Sequence, residues 1–340
     1  MQLIGKDGGL NFGISETPVG QINYQDFPLR DRFRRPLPVS ERERQFIHFH
    51  FLGFTSDRFI AGCSLTLANQ QPTVFFYIFD RQTRHLTKRG CRIGTNDTAE
   101  INLDPDNGLS LLQGKGMEVR FASTADTLAK RLTIILDGNP TLDMHFSEKP
   151  TGYQTLRLTP PTGPNGWTYA QKVAGLAATG TVTIDGETHD LASINATAHH
   201  DFTAGFLRPD TFWNWCCITG KDSQDRLIGL NLSHGVNETG HSENAIWVDG
   251  EREAAGLISF DYDLDDLTKP WRITSDTGRI ALEFRSDGAY TAYHTEGQTP
   301  VDFHQLFGSF SGTVVLRSGE VVQITDLPGF CERQFSVWWA

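Results

Sequence analysis

The sequence HHDFTAGFLRPDTFWNWCC (residues 199–217), followed by GLNLSHGVNETGHSENAIWVDG (residues 229–250), combines aromatic residues with acidic, basic and amide side chains. Trp213 and Trp215 are two positions apart, so on a strand they point to the same face. In GLNL (229–232), Asn231 lies on the face opposite its leucines. The dipeptide Asp249-Gly250 is typical of a hairpin turn. These patterns predict antiparallel strands whose polar side chains either line a cavity or belong to the edge of a core.

The rest of the chain repeats this period of two in short runs separated by turn residues. Examples are TVFFYIFD (73–80), RLTIILDGN (131–139), TVTIDGET (181–188), RIALEF (279–284) and TVVLRSGE (313–320). Such alternation is the pattern of half-buried strands. One segment, STADTLAKRL (123–132), has a helical pattern, with Ser123 and Thr124 as candidate caps. The sequence therefore predicts an all-β fold of antiparallel barrels or sandwiches with little helix.

The length of 340 residues exceeds the usual size of one domain and favours two. The Pro- and Gly-rich stretch TPPTGPNG (159–166) is the best candidate for a linker between them. We therefore expect an N-terminal arm (1–44), a first barrel (45–158), a linker (159–166) and a second barrel (167–340) that carries the main cavity.

Composition excludes some classes of partner. The net charge of −11 argues against nucleic acid, and the basic stretch RDRFRRP (30–36) is expected to be a solvated loop near a short helical turn. The five cysteines form no C-x-x-C motif, and their odd number favours a reducing cytoplasm over a disulfide framework. No apolar run is long enough for a secretory signal or a membrane span, so a cytoplasmic location is expected.

An ordered set of motifs resembles the domain-of-unknown-function family 2804. It comprises Asp201, Gly205, Arg208, the Trp213/Trp215 pair, GLN (229–231), EN (243–244) and the W-x-DG motif of Trp247 to Gly250. The resemblance continues in FHFLGFTSDRFIAGCSL (49–65) and VFFYIFDRQT (74–83), and in FHQLFGSFSGTVVLRSGE (303–320) and LPGFCE (327–332). That family is in turn distantly similar to carotenoid 1,2-hydratase and AttH-like proteins. The resemblance therefore implies two lipocalin-like antiparallel β-barrels in tandem.

Asp201 is the first candidate for catalysis. A carboxyl group among Phe202, Phe206, Trp213 and Trp215 would be desolvated, which raises its pKa and keeps it protonated. Such an acid can deliver a proton to an alkene or an enol-like carbon. The resemblance implies the same role, because the hydratase-like relatives use an Asp in the matching motif. Those relatives favour an Asp-Arg pair near the Gly, whereas this chain reads HHDFTAG, and Asp201 could instead stabilise a turn.

Other residues of the same window are candidates for binding and orientation. Glu243 and Asn231 are expected to position a water molecule or a polar end of the substrate. The candidate substrate-binding residues are Arg208, Trp213, Trp215, Asn244, Trp247, His200, His304 and Gln305. Glu332, which follows Cys331, is a secondary candidate for lining the pocket. A structural polar network and aromatic core packing explain these residues nearly as well. The histidines match no metal-binding spacing, so no metal is expected.

These observations favour an enzyme that acts on an apolar or amphipathic small molecule such as a terpenoid, polyketide or unsaturated lipid. The reaction would be a proton-initiated hydration, cyclisation or isomerisation, as in a hydratase- or cyclase-type lyase. The alternative is a non-catalytic carrier of a lipid-like ligand, since both functions need an apolar cavity with a few polar groups. No nucleotide-binding glycine motif is present, so no cofactor is expected, and the oligomeric state is left open.

Overall fold

The computed structural model describes residues 2–149, 152–236, 240–296 and 299–339, most of which lie in three antiparallel sheets. Strands account for 60% of the residues and helix for 3%, which confirms the predicted all-β class. The helical elements are a 3₁₀ helix (Tyr24–Asp26) and α1 (Val39–Gln45). Both lie in the N-terminal arm, which packs Tyr24 and Phe46 face to face with ring centroids 3.7 Å apart.

The first sheet contains nine strands, numbered in chain order. They are β1 (Gly13–Ile14), β2 (Ile47–Thr55), β3 (Phe59–Ala68), β4 (Gln71–Asp80), β5 (His85–Arg92), β11 (Leu156–Thr159), β12 (Pro161–Thr162), β13 (Gly166–Ala177) and β16 (Thr197–Gly205). Their order is β1-β11-β13-β16-β2-β3-β4-β5, with β12 beside β13.

The second sheet contains seven strands in the order β15-β14-β10-β9-β8-β7-β6. They are β6 (Thr98–Glu100), β7 (Gly108–Gly114), β8 (Met117–Thr124), β9 (Ala129–Leu136), β10 (Asn139–Ser147), β14 (Thr179–Ile184) and β15 (Glu187–Asp190). Its apolar side chains share one core with the first sheet, where Val119, Phe121 and Leu132 join Phe54 and Phe76. The two sheets together form the first barrel.

The third sheet forms the second barrel around its own core, which includes Trp271, Phe284 and Phe310. Its order is β20-β19-β18-β17-β25-β24-β23-β22-β21. The strands are β17 (Asp210–Lys221), β18 (Leu227–His234), β19 (Ala245–Val248), β20 (Glu251–Ala254), β21 (Ile258–Asp261), β22 (Trp271–Ser275), β23 (Ile280–His294), β24 (Val301–Val315) and β25 (Val321–Val337).

The predicted boundary at 159–166 differs from the observed change of sheet. Thr162 pairs with Gly166 and Pro161 with Trp167, so this Pro- and Gly-rich segment is a tight turn inside the first sheet. The strands that follow it, β13 and β16, pair with each other, and β16 pairs with β2. The first barrel therefore extends to Gly205, and the chain passes to the third sheet through residues 206–209.

The helix predicted at 123–132 is also absent. Residues 125–128 form the turn between β8 and β9, with Leu128 at a φ of +50°. On β9 the side chains of Lys130, Leu132 and Ile134 all face the barrel interior. The period of two therefore outweighs the local helical pattern, because a strand at this position buries three side chains in the core.

The interior of the first barrel contains a paired set of charges. The ammonium of the fully buried Lys130 lies 2.8 Å from Asp106 Oδ1, and Arg157 lies 3.4 Å from Asp106 Oδ2. Gln171 of β13 also donates to Asp106, at 2.8 Å. His50 and His200 approach each other there, with their Nε2 atoms 3.2 Å apart. Gln171 and His200 thus face the inside of the first barrel, so their neighbours on β13 and β16 face the opposite side.

The two barrels touch where β13 crosses β18. Gly175 interrupts the pairing of β13 with β16 and has a φ of +84°. A Cβ atom at Gly175 would lie 2.6 Å from the carbonyl oxygen of Ile228, and one at Gly229 would lie 2.0 Å from that of Ala174. Both distances are shorter than any van der Waals contact, so only glycine permits this approach of the two backbones.

Alanine at these two positions is expected to destabilise the protein. Gly138→Ala is the matched control, because Gly138 has a φ of +81° but open space around its Cβ position. The control should lose about 1 kcal/mol from backbone strain alone. Gly175→Ala and Gly229→Ala should each lose at least about 2 kcal/mol more, because the barrels must separate. Urea unfolding measures the differences, and equal losses at 138 and 175 would disprove the close contact.

Candidate active site

A cavity of about 350 Å³ lies between the first sheet and the third sheet. One wall is a cross-strand row in which Lys172 of β13, Asp201 of β16, Phe51 of β2, Ser64 of β3 and Phe75 of β4 are successive neighbours. The other wall comes from β17, β23, β24 and β25, through Trp213, Trp215, Tyr290, Phe303 and Glu332. Both barrels therefore contribute to the cavity, whereas the sequence assigned it mainly to the second.

Lys172 is the buried cation of this cavity. Its Nζ lies 2.6 Å from Asp201 Oδ2 and 3.5 Å from Glu243 Oε1, and it lies 5.5 Å from the centre of the Trp215 ring. Burial acts to lower the pKa of Lys172, but the adjacent carboxylates of Asp201 and Glu243 outweigh it and raise the pKa. The side chain is therefore an ammonium ion held by two carboxylates.

Asp201 is held as a hydrogen-bond acceptor at both of its oxygens. Oδ2 accepts from Lys172, and Oδ1 accepts from the hydroxyl of Thr203 at 2.8 Å. The ion pair with the Lys172 ammonium suits Asp201 to a role as proton acceptor. This surrounding differs from the apolar one that the sequence predicted for Asp201 as proton donor.

Glu332 is the buried acid that faces the cavity. Trp213 Nε1 donates to its Oε1 at 2.6 Å, and Gln305 Nε2 donates to its Oε2 at 2.9 Å. Burial is the main reason why the pKa of Glu332 is raised to about 8, and the negative charge of Asp201 adds to it. The hydrogen bonds from Trp213 and Gln305 and the ammonium of Lys172 lower the pKa, but burial outweighs them. At neutral pH the carboxyl group therefore carries a proton. It lies beside Trp215 of β17 and Gln305 of β24 in the strand register.

Some of the predicted site residues line the cavity and others support it from behind. Asp201, Trp213, Trp215 and Glu243 are lining residues. Asn231 is buried behind Trp215, whose Nε1 donates to its Oδ1 at 2.8 Å, and its own amide donates to the carbonyl of Glu243 at 2.9 Å. Asn231 therefore positions two lining residues, and Gln305 does the same for Glu332.

The remaining predicted binding residues lie elsewhere in the fold. His200 faces the interior of the first barrel, because it is adjacent to Asp201 on one strand. Trp247 is in the core, where its Nε1 donates to the carbonyl of Gln154, and Asn244 donates to the carbonyl of Gly256. His304 pairs with Asp302 at 2.8 Å outside the cavity. Arg208 lies in a separate groove, where it donates to the carbonyl of Gly235.

Lys172 was missed by reasoning from the sequence. The sequence feature that could have indicated it is a single lysine in the mainly apolar segment GWTYAQKVAGLA (166–177). In the structure, ten consecutive positions of this strand, from Trp167 to Leu176, are buried. A lysine at such a position must find an acid partner, because an unpaired buried charge is strongly unfavourable.

The described residues show neither a metal-binding cluster of three or more His, Cys, Asp or Glu side chains nor a membrane-spanning helix. All five cysteines are free thiols.

Comparison with protein families matches residues 1–338 to the model described as Domain of unknown function (DUF2804). The chain belongs to this family, and the resemblance inferred from the sequence is confirmed. No match was found among functionally curated proteins.

Among solved structures, the chain is similar to CghA in its crystal structure with Sch210972, with a TM-score of 0.60 at 12% identity. That match covers 99% of this chain and 98% of CghA. An AttH-like protein from Nitrosomonas europaea gives 0.46 at 9% identity, covering 87% and 93% of the two chains. Kievitone hydratase from Nectria haematococca gives 0.47 at 11% identity, covering 96% and 98%. The chain has the predicted fold of tandem lipocalin-like barrels.

Removal of the Lys172 charge is expected to destabilise the protein. Lys172→Met keeps the length of the side chain but leaves Asp201 and Glu243 without their cation, at a cost of about 3–5 kcal/mol in urea unfolding. Lys221→Met is the matched control, because it removes the ammonium of an exposed pair with Asp225 and should cost less than about 1 kcal/mol. Addition of Asp201→Asn to Lys172→Met should recover part of the loss. A loss at 172 no larger than that at 221 would contradict the buried pairing.

Proposed function

We propose that the protein is an enzyme that binds an apolar or amphipathic small molecule between its barrels and catalyses a proton-initiated hydration, cyclisation or isomerisation. The observation that carries the proposal is Glu332, a buried acid that faces an aromatic cavity and whose pKa is raised to about 8. A proton donor is most effective when its pKa is close to the working pH. The similarity to CghA supports a ligand-binding role for this fold, since that protein was crystallised with Sch210972.

The cavity walls suit a reaction that develops positive charge. Protonation of a carbon–carbon double bond forms a new C–H bond and leaves a cation on the neighbouring carbon. Trp213, Trp215 and Trp338 line the cavity, and an indole ring can stabilise such a cation through its face. The largely apolar lining also disfavours bulk water, which would otherwise capture the cation before it reacts.

The second step removes that charge, and the geometry favours Asp201 for it. Loss of a proton from the cation to Asp201 would complete an isomerisation or cyclisation. Attack by a water held between Asp201 and Glu243, with loss of one of its protons to Asp201, would complete a hydration, and proton exchange with solvent would then restore both acids. Lys172, which lies in the same cavity wall, fixes both of these carboxylates. Asp201 thus remains a proposed catalytic residue, with the role of acceptor rather than donor.

Glu332→Gln is the variant that tests the proposal. Its amide is nearly isosteric but cannot donate an acidic proton, so turnover should fall by about two to four orders of magnitude while ligand affinity changes by less than a few-fold. The assay incubates the protein with unsaturated terpenoids, polyketides and lipids in D₂O and follows product formation and carbon-bound deuterium by mass spectrometry. Glu100→Gln, at an exposed position on β6, is the matched control and should leave turnover unchanged.

The pH profile gives an independent readout. Only the protonated form of Glu332 is competent, so activity should be full at neutral pH and decline as the pH rises through about 8. Equal turnover in Glu332→Gln and the parent would remove Glu332 from the mechanism. A ligand that binds tightly, is never converted and takes up no deuterium would instead identify the protein as a carrier.

A further inference from the structure

A second concave space of about 840 Å³ lies beside the cavity, where the N-terminal arm meets the passage between the barrels. Its walls are residues 29–32, 37 and 44–45 of the arm, the turn 162–166, the connection 206–210, Phe212, residues 234–235 and the C-terminal residues Phe335 and Trp339. We call this space the arginine groove. The first three residues of the basic stretch RDRFRRP, Arg30 to Arg32, line one side of it.

The groove carries positive charge in an otherwise acidic protein. Arg30, Arg32 and Arg208 line it, and none of the three forms an ion pair with a carboxylate in the described part of the chain. The lining carboxyl groups are Asp31, which Arg35 holds at 2.6 Å, and Asp210. With a net charge of −11 for the whole chain, these three guanidinium groups are a local excess of positive charge.

The groove and the cavity share a wall. Leu207 lines both spaces. Two pairs of sequence neighbours are also divided between the two spaces. Gly235 lines the groove and Val236 lines the cavity, and likewise Trp339 lines the groove and Trp338 lines the cavity. Leu207 is therefore the side chain that a ligand reaching from the cavity into the groove would have to pass.

We propose that the arginine groove binds a carboxylate group of the same amphipathic ligand whose apolar body occupies the cavity. The inference rests on the proposed function for the presence of that ligand and adds its chemical class, an apolar molecule with an anionic end. A guanidinium group binds a carboxylate through two parallel N–H donors. Arg208 uses one terminal nitrogen for the carbonyl of Gly235, which fixes the side chain and leaves its other donors available.

The anchored end also sets the direction of the ligand. With the carboxylate held in the groove, the apolar chain must pass Leu207 and run along the wall that contains Trp213 and Glu332. The double bond to be protonated is then a fixed distance from the charged end. The groove would therefore select among apolar molecules by the position of the reacting bond as well as by charge.

Calorimetric titration with dodecanoate and with 1-dodecanol tests the inference, because these probes share the apolar chain and differ in the charged end. The parent should bind dodecanoate at least about tenfold more tightly than the alcohol.

Arg32→Gln combined with Arg208→Gln should remove most of this preference and leave the affinity for the alcohol unchanged. Arg30→Gln with Arg32→Gln, both exposed positions on the arm, should reduce it in the same direction without risk to the fold. Arg272→Gln, exposed on β22, is the control and should change neither affinity.

Two results would overturn the inference. The first is a loss of dodecanoate affinity in the groove variants that is matched by the alcohol or by Arg272→Gln. The second is inorganic phosphate that loses affinity in the groove variants, and so binds at the arginines, but does not compete with dodecanoate, because the carboxylate would then lie elsewhere. Neither measurement involves turnover. A negative result for carboxylate binding in the groove is therefore distinguishable from a negative result for the proposed reaction, which Glu332→Gln tests.

Discussion

The ammonium group of Lys172 is the charge on which the arrangement between the barrels depends. It is removed from water, so it requires anions at short distance, and the chain supplies Asp201 from β16 and Glu243 from the segment before β19. These two carboxylates belong to different barrels. The ion pair therefore joins the barrels through polar contacts at a place where their surfaces enclose a space instead of packing together.

The same charge separates the roles of two nearby acids. Asp201 is bound by the ammonium and by the hydroxyl of Thr203, whereas Glu332 is bound by the neutral donors of Trp213 and Gln305. The negative charge at Asp201 contributes to the raised pKa of Glu332. The cavity therefore contains one acid that holds a proton, Glu332, and one that is paired with an ammonium, Asp201. A reaction that adds a proton at one atom and removes a proton at another needs this arrangement.

The predictable part of this structure is the part that depends on neighbours in the chain. The period of two located the strands, and the spacing of Trp213 and Trp215 placed them on one face, which is the cavity face. The Pro- and Gly-rich stretch 159–166 was misjudged as a linker because a tight turn and a linker have the same composition. Pairing between distant strands, such as β16 with β2, leaves no local pattern.

The candidate site depends on those distant pairings, which explains what sequence reasoning missed there. Glu332 acquires its surroundings only when β25 lies between β17 and β24. Lys172 becomes important only because the register sets it opposite Asp201. His200 and Asp201 are neighbours in the sequence, yet one faces the first barrel and the other the cavity. Their rank as candidates therefore depended on a strand orientation that the sequence leaves open.

The alternation along β13 also has a consequence for how the chain reaches its native pairing. Gln171 faces Asp106, Lys130 and Arg157 inside the first barrel, while Lys172 faces the cavity. A slip of one residue that set Gln171 opposite Asp201 would set Lys172 opposite His200, in the interior of the first barrel that already holds Lys130 and Arg157. It would also leave Asp201 opposite an amide. Electrostatic repulsion as well as lost packing thus destabilises intermediates with the wrong register. The polar side chains of one strand therefore help to select the correct register of the whole sheet.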